Sequence, residues 1–361
     1  MIFKRGLELK KYVSGIDATF DIENIENSII QAQEDVTDYI GEALMDIAEE
    51  HYNSVNYNVA DDQDAGHIRL NKLVDLIRAA VAPTAINYHF IWLAIRVSNS
   101  GITTVKSSNE TAAYKYQTDE AKSQLLQQSY SAITRLLAFL NKEATPFTDF
   151  APLTAYKKDA VCRNGSAFYI ANADFTSTDT FDVNDWTEKP ASEIIFKEWT
   201  DSEVRTMLNN LIFTDYKDFN RYYGIDNSAV FFVKARYIIE EQIDTCIRVR
   251  FQQGAKVQIP AINLSKVKRF LAYKVVSEAI MRLDVNYLPE TLRGPISNEM
   301  NKKGGDVDYI REKLRANILN QANDYLKELD MELSSEKTAT EAPLAQYQTN
   351  MNSDNNFVSM I

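Results

Sequence analysis

The chain has 361 residues, 45% of them hydrophobic and 25% charged, with a net charge of −12. Those values describe a globular protein long enough for two ordinary domains, and they exclude a disordered or fibrous chain. Two cysteines, Cys162 and Cys246, cannot build a disulfide framework, and neither sits in a CxxC pair.

The opening Met-Ile-Phe-Lys-Arg-Gly lacks the apolar stretch of a signal peptide. After it, Ile22, Ile25, Ile29, Val36, Ile40, Leu44 and Ile47 recur at helical spacing, so one helix face is expected across them. Asp21 and Glu23 stand where an N-cap and a first-turn acid belong. The opposite face carries Glu34, Asp35, Asp38, Glu42, Glu49 and Glu50. Residues 53–66 read as a polar loop. A second helix follows through Leu70, Leu73, Val74, Ile77 and Val81, and Pro83 should kink it or start another through Tyr88, Trp92 and Ile95. The longest uncharged run, between Arg78 and Arg96, is short for a membrane span and contains Pro83, Asn87 and His89; it reads as a buried helix of a soluble, intracellularly made protein. A loop at Ser98–Gly101 leads into a polar stretch. A third helix then runs from about Thr118 through Leu125, Ile133, Leu136, Leu137 and Leu140, and stops before Pro146.

Residues 151–190 differ in kind. Asn164-Gly165 lies between two alternating apolar–polar runs, which signals a β-hairpin, and Thr, Asp and Phe dominate the rest. We read a small β insertion. Beyond it, Phe231, Ala235, Ile238, Ile239, Ile243 and Ile247 predict a long helix, Leu264, Val267, Phe270, Leu271 and Val275 another, and Val307, Ile310, Leu314, Ile318, Tyr325 and Leu329 a third at near-heptad spacing. From Ser334 to Ile361 the chain turns polar and reads as a disordered tail, ending in the apolar Phe357-Val358-Ser359-Met360-Ile361.

The start of the chain is written twice. Ile2, Phe3, Leu9, Lys11 and Tyr12 recur 210 positions later as Ile212, Phe213, Phe219, Arg221 and Tyr222. Ile16-Asp17 then returns as Ile225-Asp226, and Ile29-Ile30 as Ile238-Ile239. The expected fold is mainly α: two divergent copies of a helical-bundle unit, over 1–150 and 191–333, with the β insertion between them. Charge is divided unequally, with 15 acidic and 4 basic residues from Met1 to Asp64, against 10 basic and 4 acidic from Lys234 to Arg282. Complementary regions of this kind can steer copies into head-to-tail association.

Reactive chemistry is sparse. His51, His67 and His89 share no ligand spacing, so neither a histidine metal site nor a Ser/His/Asp triad is expected. Asp61, Asp62 and Asp64 fail the calcium-loop pattern, and Lys302-Lys303-Gly304-Gly305 lacks a P-loop frame; Asp306 reads instead as a helix cap. Lys266, Lys268, Arg269 and Lys274 around Phe270 and Tyr273 fit a helix core face better than a nucleic-acid surface. No cofactor, metal or catalytic residue is expected, and no enzyme activity. Tyr156, Phe168, Tyr169 and Trp186 are either a stacking platform for sugar rings or the core of a very small sheet.

Ile2-Phe3, Leu9-Lys10-Lys11-Tyr12, the acidic helix and the block from Glu120 to Phe150 (with Leu136, Phe139, Leu140 and Phe147) resemble a family of Bacteroidetes phage and prophage proteins, crAss-like phages included. These are regarded as head–tail connector, or neck ring, proteins. The resemblance covers about residues 1–150 and, through the repeat, 205–333. It implies a structural virion protein at the head–tail junction, made in the host bacterial cytoplasm, without a membrane partner. Its copies would form a ring, twelvefold by family analogy, between the portal and the neck or tail proteins. Packaged DNA would pass through without specific binding, past channel-lining Glu34, Asp35, Asp38, Glu42 and Glu49. Phe357 would serve a docking tail.

Separately, Tyr156-Lys157-Lys158-Asp159, Asn164-Gly165, Phe168-Tyr169 and Asp185-Trp186 resemble the short repeat of chitin-binding-type modules, with a departure at Cys162-Arg163. That resemblance implies an alternative: a tail or decoration protein that binds glycans through Tyr156, Tyr169 and Trp186.

Overall fold

A computed structural model describes residues 1–14, 21–60, 62–98, 101–104, 115–253, 256–257, 259–300, 302 and 305–341. The first unit comprises α1 (Gly6–Lys10), α2 (Glu26–Ile40), α3 (Glu42–Asn53), α4 (Ala65–Ala94) and α5 (Lys115–Glu143), with an antiparallel pair β1 (Ile95–Ser98) and β2 (Gly101–Thr104) after α4. The β-rich segment holds β3 (Phe147–Asp149), β4 (Ala155–Tyr156), β5 (Val161–Asn164), β6 (Ala167–Ala171), β7 (Phe175–Thr176) and β8 (Trp186–Lys189). Short helices α6 (Lys197–Asp201) and α7 (Glu203–Asn209) lead to the second unit. It contains α8 (Tyr216–Asn220), α9 (Ala229–Gln242), α10 (Arg248–Phe251), the ribbon β9 (Gln252–Gln253) and β10 (Lys256–Val257), α11 (Ala261–Arg282), α12 (Glu290–Met300) and α13 (Val307–Glu341).

The expected class holds: helical units flank a small mixed sheet. Each unit is built around one helix that is buried on nearly all sides, as helices apolar all round must be. In α4, Leu73, Val74, Leu76, Ile77, Ala80, Val81, Ala82, Ala85 and Ile86 are buried; in α11, Val267, Phe270, Leu271, Ala272, Val275, Val276, Ala279 and Ile280 are. Helix α4 packs along α5 and α2, and α11 along α13 and α9. The near-heptad seam of α13 is spent inside the molecule, against α11. Buried residues from Ile2 to Leu329 form one continuous hydrophobic cluster across both units.

Four expectations change. The single acidic helix is a short 3-10 turn capped by Asp21 followed by two helices, because Gly41 takes φ +87° between α2 and α3. Apolar spacing continues across that break, which hides it from periodicity. Helix α4 runs through Pro83 without ending there. Near the proline, the hydroxyls of Thr84 and, from α5, Ser129 both donate to the Ala80 carbonyl, at 3.1 and 3.0 Å. The carbonyl that Pro83 leaves without its usual N–H partner is that of Ala79, one residue earlier; the two hydroxyls tie α4 to α5 beside it. The long helix of the second unit passes through a π turn at Ile243–Ile247. Finally, α13 continues to Glu341, past the point where the sequence turns polar at Ser334; Phe357 lies outside the described residues.

The sheet order is β3-β5-β6-β8, with β3 parallel to β5 and the rest antiparallel. Asn164 pairs with Ala167, so the hairpin turn is Gly165-Ser166, with Gly165 at φ +64°. Glycine at the first central position is what a type II′ turn needs.

Candidate functional site

The expected channel acids do not share one fate. On α2, Glu34 and Asp38 are exposed, while Asp35 is half-buried and accepts the Tyr88 hydroxyl. Burial raises the Asp35 pKa despite that bond and despite Lys234 nearby. Glu42 is exposed at the start of α3. Glu49 turns inward, where it accepts the Gln33 amide and meets the Met1 amino group at 2.7 Å. Glu34, Glu42, Asp46 and Glu50 have no cation at ion-pair distance among the described residues. Asp38 and Glu42 also border a cleft of about 560 Å³ between α2–α3, α6–α7 and α9. Glu198, Asp201 and Glu203 add further acids to it, against Lys197 and Arg236.

The basic stretch behaves oppositely. Arg248 meets Asp244, Lys274 meets Glu278 and Arg282 meets Glu241, at 2.6, 2.7 and 2.5 Å. Arg250 binds Asp330 through two bonds, 2.6 and 2.9 Å, and Lys266 pairs with Glu332, so both fasten α13. Lys234 crosses to Asp38 of the first unit at 3.5 Å and lies over the rings of Tyr39 and Tyr287. Lys234, Arg250, Lys266 and Lys268 thus find acids outside the 234–282 segment, which offset four of its six excess positive charges.

Sequence reasoning missed a pair of buried charge nodes. Arg78, 4% exposed, pairs with Glu8 at 3.1 Å, donates to the Tyr57 hydroxyl at 2.8 Å, and lies within 5.6 Å of the rings of Phe3, Tyr12 and Tyr52. In the second unit Lys268 pairs with Asp218 at 2.6 Å and lies 5.9 Å from the Phe213 ring. Glu8 accepts the Lys4 N–H as Asp218 accepts the Thr214 N–H, and all four residues obey the 210-residue offset of the repeat. Burial opposes ionisation of both carboxylates. The backbone N–H groups and cations outweigh it and hold both below the ordinary carboxylate range. The signal was available: Glu8 and Asp218 sit at matched places in the duplicated segment.

In the β insertion, Tyr156 and Trp186 are 6% and 5% exposed and pack edge to face at 4.9 Å. Phe175 and Phe181 close over Trp186, and Tyr169 is half-buried against Phe181. These rings are the core of the small sheet, the second of the two readings of the sequence, and Tyr156 and Trp186 are buried within it. The acids before α4 work as caps and ties: Asp64 accepts the His67 N–H, and Asp62 meets His67 Nδ1, both at 2.9 Å.

Among the described residues no group of three or more His, Cys, Asp or Glu side chains is placed to hold a metal, and no helix is long and apolar enough to cross a membrane. No curated protein and no solved structure matches the chain. A family model matches residues 36–160 and 254–350, more than half of the sequence, and the chain therefore belongs to the family of unknown function DUF6712.

Proposed function

We propose that this protein is a structural virion component, without enzyme activity, whose copies form a ring at a phage head–tail junction. The ring sits below the portal and surrounds the DNA channel. The observation that carries the reading is the asymmetry of charge after folding. Seven of the ten cations of the 234–282 segment are paired within the chain, whereas Glu34, Glu42, Asp46 and Glu50 stay exposed and unbalanced on α2–α3. An acidic lumen repels phosphates and lets DNA slide without adhering. The resemblance of the opening and of residues 120–150 to connector proteins supports the same role. A single core running through two copies of one helical unit suits a mechanical part.

Cryo-electron microscopy of the virion tests this reading. The expected result is a ring of this chain at the portal vertex with α2–α3 turned to the lumen. Density on the capsid or tail exterior overturns the assignment, and a ring with those acids on its outer rim overturns the channel role. The glycan-binding alternative loses two of its three rings to the insertion's core.

A further inference from the structure

The four-stranded sheet has two faces. Cys162, Tyr169, Ala171 and Trp186 share the face closed by the insertion's own aromatic residues. Phe147, Val161 and Ile170, paired across β3, β5 and β6, share the other. That face borders a cleft of about 600 Å³, whose far wall is the end of α5 together with α6–α7. Arg163 meets Asp149 of the adjoining strand at 2.6 Å and reaches Asp201 of α6 at 2.7 Å, and the second contact ties the sheet to the helices.

The polar part of the lining is rich in donors. Lys189 on β8 and Arg205 on α7 supply two cations against one acid, Asp159. Asn141 and Asn209 add two amides, and the Asn141 oxygen already accepts Trp199 Nε1 at 3.2 Å, which leaves its NH2 to donate. No carboxylate lies at ion-pair distance from the Arg205 guanidinium among the described residues. Asp215 acts on it from farther away, and burial outweighs that attraction and lowers its pKa. A half-buried guanidinium with no carboxylate at ion-pair distance is free to take an anionic oxygen, and such a group at the wall of a cleft is a candidate binding site.

We propose that this cleft binds an acidic peptide segment of a partner protein, with one carboxylate seated between Arg205 and Lys189. The guanidinium fork matches the two carboxylate oxygens. Aliphatic neighbours of the acid lie on the Phe147–Val161–Ile170 face, and the two asparagine amides meet peptide carbonyls. A bare phosphate would use the cations and leave that apolar floor wet, which is why a peptide fits better. The site is independent of the ring reading.

Isothermal titration calorimetry of the full chain tests it, with a capped five-residue peptide alternating leucine and glutamate as probe. We expect saturable binding, weakened at least tenfold by Arg205→Gln and less by Arg205→Lys, with the thermal unfolding of both variants unchanged. Three outcomes would overturn the proposal. They are no binding by the wild-type chain, equal binding of the corresponding leucine–lysine peptide, or affinity unaffected by Arg205→Gln. If inorganic phosphate binds as tightly and displaces the peptide, the cleft is a site for free anions and the peptide assignment fails.

Discussion

Helices α2 and α9 occupy matching places in the two units, yet the second is the more deeply buried. In α2, Ile29 is buried and Ile30 is 44% exposed; at the matching places in α9, Ile238 and Ile239 are both buried. Five consecutive residues of α9, Ala229 to Val233, are buried as well. The cause is position: α9 packs against α5 of the first unit as well as α11 of its own. Duplication therefore supplied two equivalent helices, and docking spent the second on the seam. The first kept a free polar face, on which acids accumulate. The same divergence marks the charge nodes, where arginine among three rings in the first unit faces lysine beside one ring in the second.

The largest test of this comparison is to remove each cation. Breaking a buried pair leaves a carboxylate uncompensated, so Arg78→Ala should cost about 3–5 kcal/mol. Lys268→Ala should cost less, since fewer groups depend on it; urea unfolding of the two variants measures the difference. Equal losses would show that the rings around Arg78 contribute nothing.

A second pair probes the matched buried glutamines, only 8% and 6% exposed. Gln33 accepts the Ile2 N–H at 3.2 Å, whereas the contact recorded for Gln242 is the Cys246 thiol at 3.7 Å. Gln33→Leu strands a backbone donor and should cost about 1–3 kcal/mol, Gln242→Leu under about 1 kcal/mol, by the same unfolding assay.

Gly41→Ala tests the break that only the first unit contains. With φ +87° and the Ser202 Cβ only 3.3 Å from the added methyl, a loss of about 1–2 kcal/mol in thermal unfolding is expected.

The smallest effect is on pH dependence. Glu8 and Asp218 have folded pKa values below their ordinary 4.5 and 3.8. Their stabilisation is complete above those ordinary values and is lost as pH falls through the folded ones. Asp35, raised by burial, works in reverse and favours the fold as it takes up a proton. Glu8→Gln and Asp218→Asn should each flatten the acid limb of a stability–pH curve, and Asp35→Asn should steepen it.

Much of this was legible in the sequence. Helical spacing located α4, α5, α11 and α13, and the turn chemistry at Asn164-Gly165 located the hairpin. The site was less so. Arg78 reads in sequence as the charged border of an apolar run, and its burial depends on Glu8, seventy positions away, which periodicity cannot report. Gly41 was masked because Ile40, Leu44 and Ile47 keep helical spacing across it. Arg250 and Lys266 look like a basic surface until α13 folds back to bring Asp330 and Glu332 beside them.

The common core has one further consequence. Bending one unit against the other would part Lys234 from Asp38, separate Tyr130 from Tyr287, whose ring centres lie 6.0 Å apart, and wet the contact between α5 and α9. The halves therefore turn together. In the proposed ring, curvature would come from the angle cut into each block, as in a masonry arch, and not from slack in its middle. Copy number would then be written into a single protomer before its first neighbour arrives.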